Sequence, residues 1–147
     1  MINSTQIYID GGCLGNPGIG GWGVIILHKN HNIELKGSLQ YTTNNRMEII
    51  AAIYALCAIT KTSYVHIWTD SKYVSNGITK WIYNWIKRYW KNINNKPIKN
   101  YEIWTKLFKY CKKHKIVWHW LKSHIGYPGN EYADMLANKA IKEFKIW

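Results

Sequence analysis

The order of strand-like and helix-like segments is the feature that most restricts the fold of this chain. Three strand patterns follow one another between residues 7 and 41, with only turns between them. Two later strand patterns, at residues 64–70 and 116–120, each come after helix-like sequence. Strands joined by tight turns pair antiparallel, whereas strands joined through helices form parallel crossovers. The sequence therefore predicts an α/β fold with a mixed five-stranded sheet and helices on its faces.

The first three strands are predicted from their hydrophobic patterns. Ile7 and Ile9 alternate with Tyr8 and Asp10, and the strand is expected to end on that carboxylate. Residues 22–28 form a continuous apolar run, and residues 33–41 alternate between apolar and polar side chains. Residues 28–31 read as a turn between them. We therefore expect an antiparallel meander whose first strand carries an acid at its end.

Helical periodicity appears in three places. Thr43 is predicted to cap the first helix. Residues 71–80 are predicted to form a short helix, and residues 130–144 a final one. The inward side chains of the first helix are expected to be Met47, Ile50, Ala51, Tyr54 and Ala58. Those of the last helix are expected to be Ala133, Leu136, Ala137, Ala140 and Phe144.

Residues 18–23 match the dinucleotide-binding pattern G-x-G-x-x-G letter for letter. That pattern requires a helix N-terminus after the glycines, because the helix end binds the pyrophosphate. Here the glycines lead into the apolar run of residues 24–27, which reads as a strand. We therefore expect a glycine-rich hairpin between the first two strands, with Asn16 left as a possible substrate contact.

The charge of the chain indicates a polyanionic partner. Twenty Lys and Arg residues face eight Asp and Glu residues, which gives a net charge of +12. Nucleic acid and an anionic membrane surface both suit such an excess. The longest apolar run, residues 49–59, is far shorter than the roughly 20 residues of a membrane span. The three cysteines fit no disulfide framework or metal motif, which suits a reducing cytoplasm. The length of 147 residues predicts one soluble domain over residues 1–147.

The positive charge is concentrated between residues 80 and 115, where eleven Lys and Arg residues accompany one acid, Glu102. Trp81 and Trp85 are one helical turn apart and so share a face. Large rings beside dense positive charge suit packing on bases or sugars while cationic side chains such as Lys87 and Arg88 meet phosphates. We expect Trp104 to belong to the core instead.

Four of the eight acids are candidates for a metal site. Asp10 and Asp70 end apolar strands, where a charge is costly unless something pairs with it. If their strands are neighbours, the two carboxylates stand side by side, and a helix packed across them could add Glu48. Asp134 is expected in the first turn of the last helix. Ligation by oxygen alone favours Mg²⁺ or Mn²⁺, and two such ions could assist phosphoryl displacement.

Four segments together resemble the type 1 ribonuclease H family, and closely resemble its bacterial members. They are YIDGGCLGNPGIGGWG, TTNNRMEIIAAIYAL, TDSKYV and WLKSHIGYPGNEYADMLA, in the family's order and over nearly the whole length. The resemblance implies a five-stranded mixed sheet with a basic helical protrusion. It implies cleavage of the RNA strand of RNA–DNA hybrids with two Mg²⁺ ions, for which Mn²⁺ could substitute, leaving 3′-hydroxyl and 5′-phosphate ends.

The resemblance also implies roles for individual residues. The implied metal ligands are Asp10, Glu48, Asp70 and Asp134, and His124 matches a loop histidine that assists proton transfer or product release. The implied contacts to the hybrid are Cys13, Asn16, Asn44, Asn45, Lys72, Trp81, Trp85, Lys87 and Arg88. Lys72 replaces a usual glutamine, Ser123 stands where glycine is frequent, and Gly12 stands where Ser or Ala is often seen. These departures bear on substrate preference and turnover, not on the carboxylates.

Two other functions compete with this one. A nucleic-acid-binding module that has lost catalysis predicts a missing carboxylate, and all four are present. Another nuclease of the same fold, of the junction-resolving or integrase type, would keep the acids but not the asparagine set with the Trp81 and Trp85 protrusion. We expect a monomer with no obligate protein partner.

Overall fold

The structure is a computed structural model that describes residues 4–122 and 126–145. Its five strands form one sheet in the order β3-β2-β1-β4-β5. The strands are β1 (Thr5–Cys13), β2 (Gly18–His28), β3 (His31–Thr42), β4 (Tyr64–Thr69) and β5 (Lys115–Trp120). The helices are α1 (Asn44–Cys57), α2 (Lys72–Asn76), α3 (Ile82–Lys87), α4 (Tyr101–Cys111) and α5 (Pro128–Lys145).

The sheet is mixed, as the order of segments predicted. β1 pairs antiparallel with β2, and β2 with β3, whereas β1 pairs parallel with β4 and β4 with β5. β1 therefore lies at the centre, between the meander and the crossover half. α1 covers one face of the sheet. The side chains on that face include Ile7 and Ile9 of β1 and Val65 and Ile67 of β4, which are fully buried.

The expected hairpin between β1 and β2 is present, but most of its glycines lie in the strand and not in the loop, because β2 begins at Gly18. β1 likewise continues past Asp10 to Cys13, so the turn comprises only residues 14–17. The glycines are needed for close packing of α5. A Cβ on Gly21 would lie 2.4 Å from the carbonyl oxygen of Ala137, and one on Gly23 would lie 2.3 Å from that of Ala133.

The helix α1 is buried on more than one side. Thr43 caps it as predicted, since its hydroxyl accepts a hydrogen bond from the Arg46 N–H. Met47 and Ala51 are fully buried, but the predicted inward residues Tyr54 and Ala58 are exposed. The helix packs on the sheet and also on α4, so burial extends around most of its circumference.

The other helices differ from prediction mainly at their ends. The segment predicted over residues 71–80 runs on to Lys87 as α2, a π-helical turn (Gly77–Trp81) and α3. α5 begins at Pro128, so Asp134 lies in its second turn and not in its first. Within residues 4–122 and 126–145, each helix is too short or too polar to cross a membrane.

Candidate metal centre and nucleic-acid interface

Three carboxylates meet where the parallel pairing of β1 and β4 ends. Asp10 lies on β1, Asp70 directly follows β4, and Glu48 lies in the first half of α1. One oxygen atom from each of these side chains lies within 4.8 Å of the others. Asp10 and Glu48 are buried, at 5% and 6% exposure. The fold thus brings together acids that are 38 and 22 residues apart in sequence (48 − 10 and 70 − 48).

Gly11 controls the approach of Glu48 to the sheet. Its N–H donates a hydrogen bond of 3.1 Å to Glu48 Oε1. A Cβ at this position would lie 2.6 Å from the carbonyl carbon of Met47 and 2.7 Å from the backbone nitrogen of Glu48. Only glycine therefore lets α1 lie close enough for Glu48 to join Asp10.

Asp134 borders the same cleft from α5. The cleft has a volume of about 330 Å³. It is lined by Asp10, Gly11, Asn44, Asn45, Glu48, Asp70, Ser71 and Asp134. The close packing of α5 on Gly23 sets the position of this helix, since the carbonyl of Ala133 lies directly over that glycine.

The electrostatics of the cluster disfavour full ionisation. Burial raises the pKa of Asp10, and the Glu48 charge, a hydrogen bond with Asp134 and the Asp70 charge raise it further. Burial and the charge of Asp70 also raise the pKa of Glu48, although hydrogen bonds with Asp10 and the Gly11 N–H oppose this. Carboxylates this close ionise together only if a cation offsets their repulsion.

The donor set fits a hard divalent cation. The gathered ligand atoms are all carboxylate oxygens, which suit Mg²⁺ or Mn²⁺ better than zinc. Glu48 Oε2 is buried and lacks a hydrogen-bond partner among the described residues. A buried polar oxygen without a partner is costly, and a bound cation would remove that cost.

Residues predicted to contact substrate line one rim of the cleft. Asn16 Oδ1 accepts a 2.9 Å hydrogen bond from the Asn44 N–H, so the turn before β2 also caps α1. Cys13 Sγ lies 3.1 Å from the Thr42 carbonyl oxygen. The structure thus groups Cys13, Asn16 and Asn44 around the start of α1, with Asn45 exposed beside them.

A polar network that sequence reasoning missed connects this rim to the basic segment. Arg46 Nη1 donates to Asn100 Oδ1 at 3.1 Å and also pairs with Glu102. Asn100 Nδ2 and Trp104 Nε1 both donate to the Tyr73 hydroxyl, at 3.0 and 3.1 Å. The partners are 27 to 56 residues apart, and no local pattern signals such contacts.

The two tryptophans of the basic segment share a face but differ in surroundings. Their ring centroids are 6.1 Å apart. Trp81 is 39% exposed, whereas Trp85 is half-buried and packs 5.2 Å from Trp104, which is fully buried as predicted. Lys87 and Arg88 follow at the exposed end of α3. Trp81 is therefore the more accessible ring for a ligand.

Lys72, one of the predicted site residues, lies near the end of β5. The Lys72 ammonium lies 4.9 Å from the centre of the Trp120 ring, and Trp120 Nε1 donates to the Asp70 carbonyl oxygen at 3.0 Å. Lys72 is thus held beside the carboxylate cleft by a cation–π contact. His124, together with Ser123, lies outside the described residues.

Comparisons with known proteins point to one family. The sequence profile described as RNase H matches residues 3–142. A ribonuclease H of Bartonella bacilliformis is 49% identical over 99% of this chain and 96% of its own length. A ribonuclease H of Chromohalobacter salexigens is 50% identical over 96% of this chain and 86% of its own length. The crystal structure of LC9-RNase H1, a type 1 RNase H with the type 2 active-site motif, superposes with a TM-score of 0.88 at 31% identity, covering 97% of this chain and 74% of that one.

Proposed function

The chain belongs to the ribonuclease H family, and from that premise we propose that it hydrolyses the RNA strand of RNA–DNA hybrids as a metal-dependent endonuclease. The observation that carries the proposal is the meeting of Asp10, Glu48 and Asp70 within 4.8 Å, with Asp134 on the same cleft. Metal-dependent phosphodiester hydrolysis uses such a cluster to hold cations beside the scissile phosphate.

The four carboxylates hold two Mg²⁺ ions in this proposal, and Mn²⁺ can replace them. Bound ions supply an activated water and offset the charge that develops on the leaving oxygen. Asp10 and Asp70 come from adjacent strands, so their spacing is set by backbone pairing and does not depend on a mobile loop. The Gly11 N–H holds one Glu48 oxygen, and the other, which lacks a hydrogen-bond partner among the described residues, would be available to bind a cation. Products with 3′-hydroxyl and 5′-phosphate ends follow from cleavage on the 3′-oxygen side of the phosphate.

Selection of RNA in the cleaved strand requires groups that recognise 2′-hydroxyls. The exposed side chains of Asn44 and Asn45 lie on the cleft, and Asn16 and Cys13 fix the backbone beside them. We assign these four residues to the RNA strand, near the scissile bond. His124 is assigned to proton transfer or product release from its position in the sequence.

The DNA strand contacts the basic segment in this proposal. Lys87 and Arg88 are exposed and suit phosphate contacts, whereas Trp81 and Trp85 suit packing on sugars or bases. Tyr73, on α2, packs on this segment, since its ring lies 5.9 Å from Trp81 and its hydroxyl accepts a hydrogen bond from Asn100 Nδ2. Lys72 adds a positive charge over the Trp120 ring, beside Asp70.

The setting of the enzyme forms part of the same proposal. Cys13, Cys57 and Cys111 are free, which suits a reducing compartment such as the cytoplasm. The carboxylate cleft is built from one chain, so a monomer suffices for activity.

The deciding experiment is cleavage of an end-labelled RNA–DNA hybrid with Mg²⁺, with Mn²⁺ and without metal. The same RNA is tested single-stranded and as duplex RNA. Metal-dependent cutting of the hybrid alone is expected. Asp134→Asn should abolish cutting, whereas Glu131→Gln, an exposed acid on the same helix, should leave it unchanged. Tight hybrid binding without cutting in either metal would instead identify a binding module.

A further inference from the structure

The helix α3 ends in a turn of a type that usually contains glycine. The Trp90 N–H donates to the Trp85 carbonyl oxygen at 2.6 Å, and the Tyr89 N–H donates to the Ile86 carbonyl oxygen at 3.1 Å. These two bonds form a Schellman motif, in which the residue after the helix cap has a left-handed backbone. Tyr89 occupies that position, with a φ of 55°. Glycine is the usual residue there, because a Cβ is strained in this conformation.

Packing explains the next residue of the turn but not Tyr89. Trp90 also has a left-handed backbone, with a φ of 62°. Its ring packs against the rings of Trp85, Tyr101 and Phe108, and these contacts offset the strain. The Tyr89 side chain is 85% exposed, so its ring gains little from packing. The fold therefore holds a large ring in water at a strained position without gaining stability from it.

Positive charges flank this ring along the chain. Lys87, Arg88 and Lys91 are all exposed. The sequence has no Asp or Glu between residues 71 and 101, so these cations have no acidic neighbour in their own segment. Proteins that bind nucleic-acid strands combine such cations, which contact phosphates, with aromatic rings on which bases or sugars pack. The surroundings of Tyr89 have both parts of this arrangement.

Tyr89 is also well separated from the accessible ring at the other end of the helical segment. It lies eight residues after Trp81 (89 − 81), which corresponds to about 12 Å of helix rise. Successive nucleotides of a strand are only about 3.4 Å apart along the duplex axis. The two rings are therefore far enough apart to contact different nucleotides.

We propose that Tyr89 is a further substrate-binding residue, whose ring packs on a sugar or base of the DNA strand while Lys87, Arg88 and Lys91 contact its phosphates. This inference rests on the proposed ribonuclease H function, because it assigns the ring to the same RNA–DNA hybrid. It extends the aromatic contact of the basic segment from Trp81 to the end of α3. The ring contributes to affinity in the complex what it does not contribute to stability in the free protein.

Replacement of Tyr89 by glycine should change stability and binding in opposite directions. Tyr89→Gly removes the strained Cβ, so the melting temperature should rise by about 2–4 °C. Loss of the ring should raise the Kd for a fluorescently labelled hybrid at least about fivefold, measured in an Asp10→Asn background that prevents cleavage. An unchanged Kd would refute the proposal. A fall in the melting temperature would also overturn it, because the ring would then be part of the packed structure.

The salt dependence of binding separates the ring from the charges beside it. Stacking releases no counterions, so the log–log salt slope of Tyr89→Gly should equal that of the parent, whereas Lys91→Ala should flatten it by about 1. Tyr89→Phe, which keeps the ring, should retain the affinity. Asn95→Gly is the matched control, since Asn95 is exposed and has a φ of 62° in the same loop, and its Kd should not change. An equal loss of affinity in Asn95→Gly would assign the effect to the loop backbone and contradict the proposal.

Cleavage by the wild-type chain distinguishes the failure of this inference from the failure of the proposed function. If the wild type neither binds nor cuts the hybrid in Mg²⁺ or Mn²⁺, the proposed function fails and the role of Tyr89 fails with it. If the wild type cuts the hybrid and Tyr89→Gly has the same KM and the same Kd, only the role of Tyr89 is refuted. A raised KM with an unchanged kcat is the expected result, because the ring binds substrate away from the carboxylates.

Discussion

The Gly11 N–H donates a hydrogen bond to Glu48 Oε1 at 3.1 Å, and the Gly11 Cα packs directly against the backbone of α1. This contact joins the central strand to the helix that carries the second carboxylate. It makes the geometry of the metal centre depend on a residue that has no side chain.

Replacement of Gly11 by alanine should damage both stability and the site. The added Cβ would lie 2.7 Å from the Glu48 nitrogen and would push α1 from the sheet, at a cost of about 1–3 kcal/mol. The cleavage rate should fall further than the loss of stability accounts for, because Glu48 moves with the helix. Gly12→Ala is the matched control, since a Cβ there meets nothing within 4 Å. Mg²⁺ affinity and thermal unfolding of both variants distinguish them, and equal behaviour would contradict the role of Gly11.

Asp10→Asn should abolish cleavage yet raise the melting temperature in EDTA. The pKa of Asp10 is raised by burial and by its acidic neighbours, so the neutral form is the stable one in the folded state. Stability from a neutral Asp10 is present below its unfolded pKa of about 3.9 and is lost as the pH rises. The variant should therefore match the wild type near pH 4 and exceed it by roughly 4–8 °C at pH 8.

Mg²⁺ should reverse this ranking by stabilising the wild type alone. Glu131→Gln, an exposed acid on α5, serves as the control for a general charge effect. A clear fall in the melting temperature of Asp10→Asn in EDTA at pH 8 would show that Asp10 is structurally paired.

The fold and the carboxylate set were predictable because their signals are local. The acids at Asp10 and Asp70 follow apolar strand patterns and would lie side by side if those strands were neighbours, and the structure shows that β1 pairs with β4. The glycines at residues 18–23 were assigned to a loop because their role in the strand becomes visible only when α5 packs on them. Nothing in the sequence of β2 reports a helix that begins 100 residues after its end (128 − 28).

Other features depend on contacts between distant residues. The spacing of Trp81 and Trp85 places both on one helix face, but only Trp85 packs on the buried Trp104 ring, while Trp81 is exposed. The bonds of Asn100 with Arg46 and Tyr73 likewise join separate helices. Individual roles in substrate binding stay predictions for this reason.

The stability of the protein should fall in mild acid because of His114. Its side chain is 9% exposed, and Nδ1 accepts a 3.1 Å hydrogen bond from the Ser63 N–H, which requires the unprotonated nitrogen. Burial, with help from the Lys113 charge, holds the pKa of His114 below its usual value. The stabilisation is full above the unfolded pKa of about 6.5 and is lost as the pH falls below it.

Urea unfolding at pH 7.5 and 5.0 measures this effect. The free energy of unfolding should drop less between the two pH values in His114→Gln than in the wild type. His31→Gln should keep the wild-type slope, since His31 is exposed. An unchanged slope in His114→Gln would assign the acid sensitivity to other groups.

Four cationic residues of the basic segment should account for much of the salt dependence of hybrid binding. Lys87, Arg88, Lys91 and Lys96 are exposed, and replacing all four with Ala should flatten the log–log salt slope by roughly 3 to 4 if each contacts a phosphate. Fluorescence anisotropy with a labelled hybrid measures the slope, in an Asp10→Asn background that prevents cleavage. Alanine at Lys29, Lys61, Lys139 and Lys142, which are exposed outside the basic segment, should change it little. Equal slopes in the two quadruple variants would place the DNA strand on another surface.

Substitution of Trp81 should mainly weaken hybrid binding, whereas substitution of Trp85 should mainly lower stability. Trp85→Ala removes a ring that packs on Trp90 and Trp104, so it should cost about 2–3 kcal/mol of folding free energy. Trp81→Ala removes a more exposed ring, so the melting temperature should change less while the Kd for hybrid rises roughly tenfold. Trp81→Phe, which keeps an aromatic face, should restore most of the affinity. If Trp81→Ala instead unfolds as readily as Trp85→Ala and binds hybrid normally, both tryptophans belong to the core and the lysines alone hold the DNA.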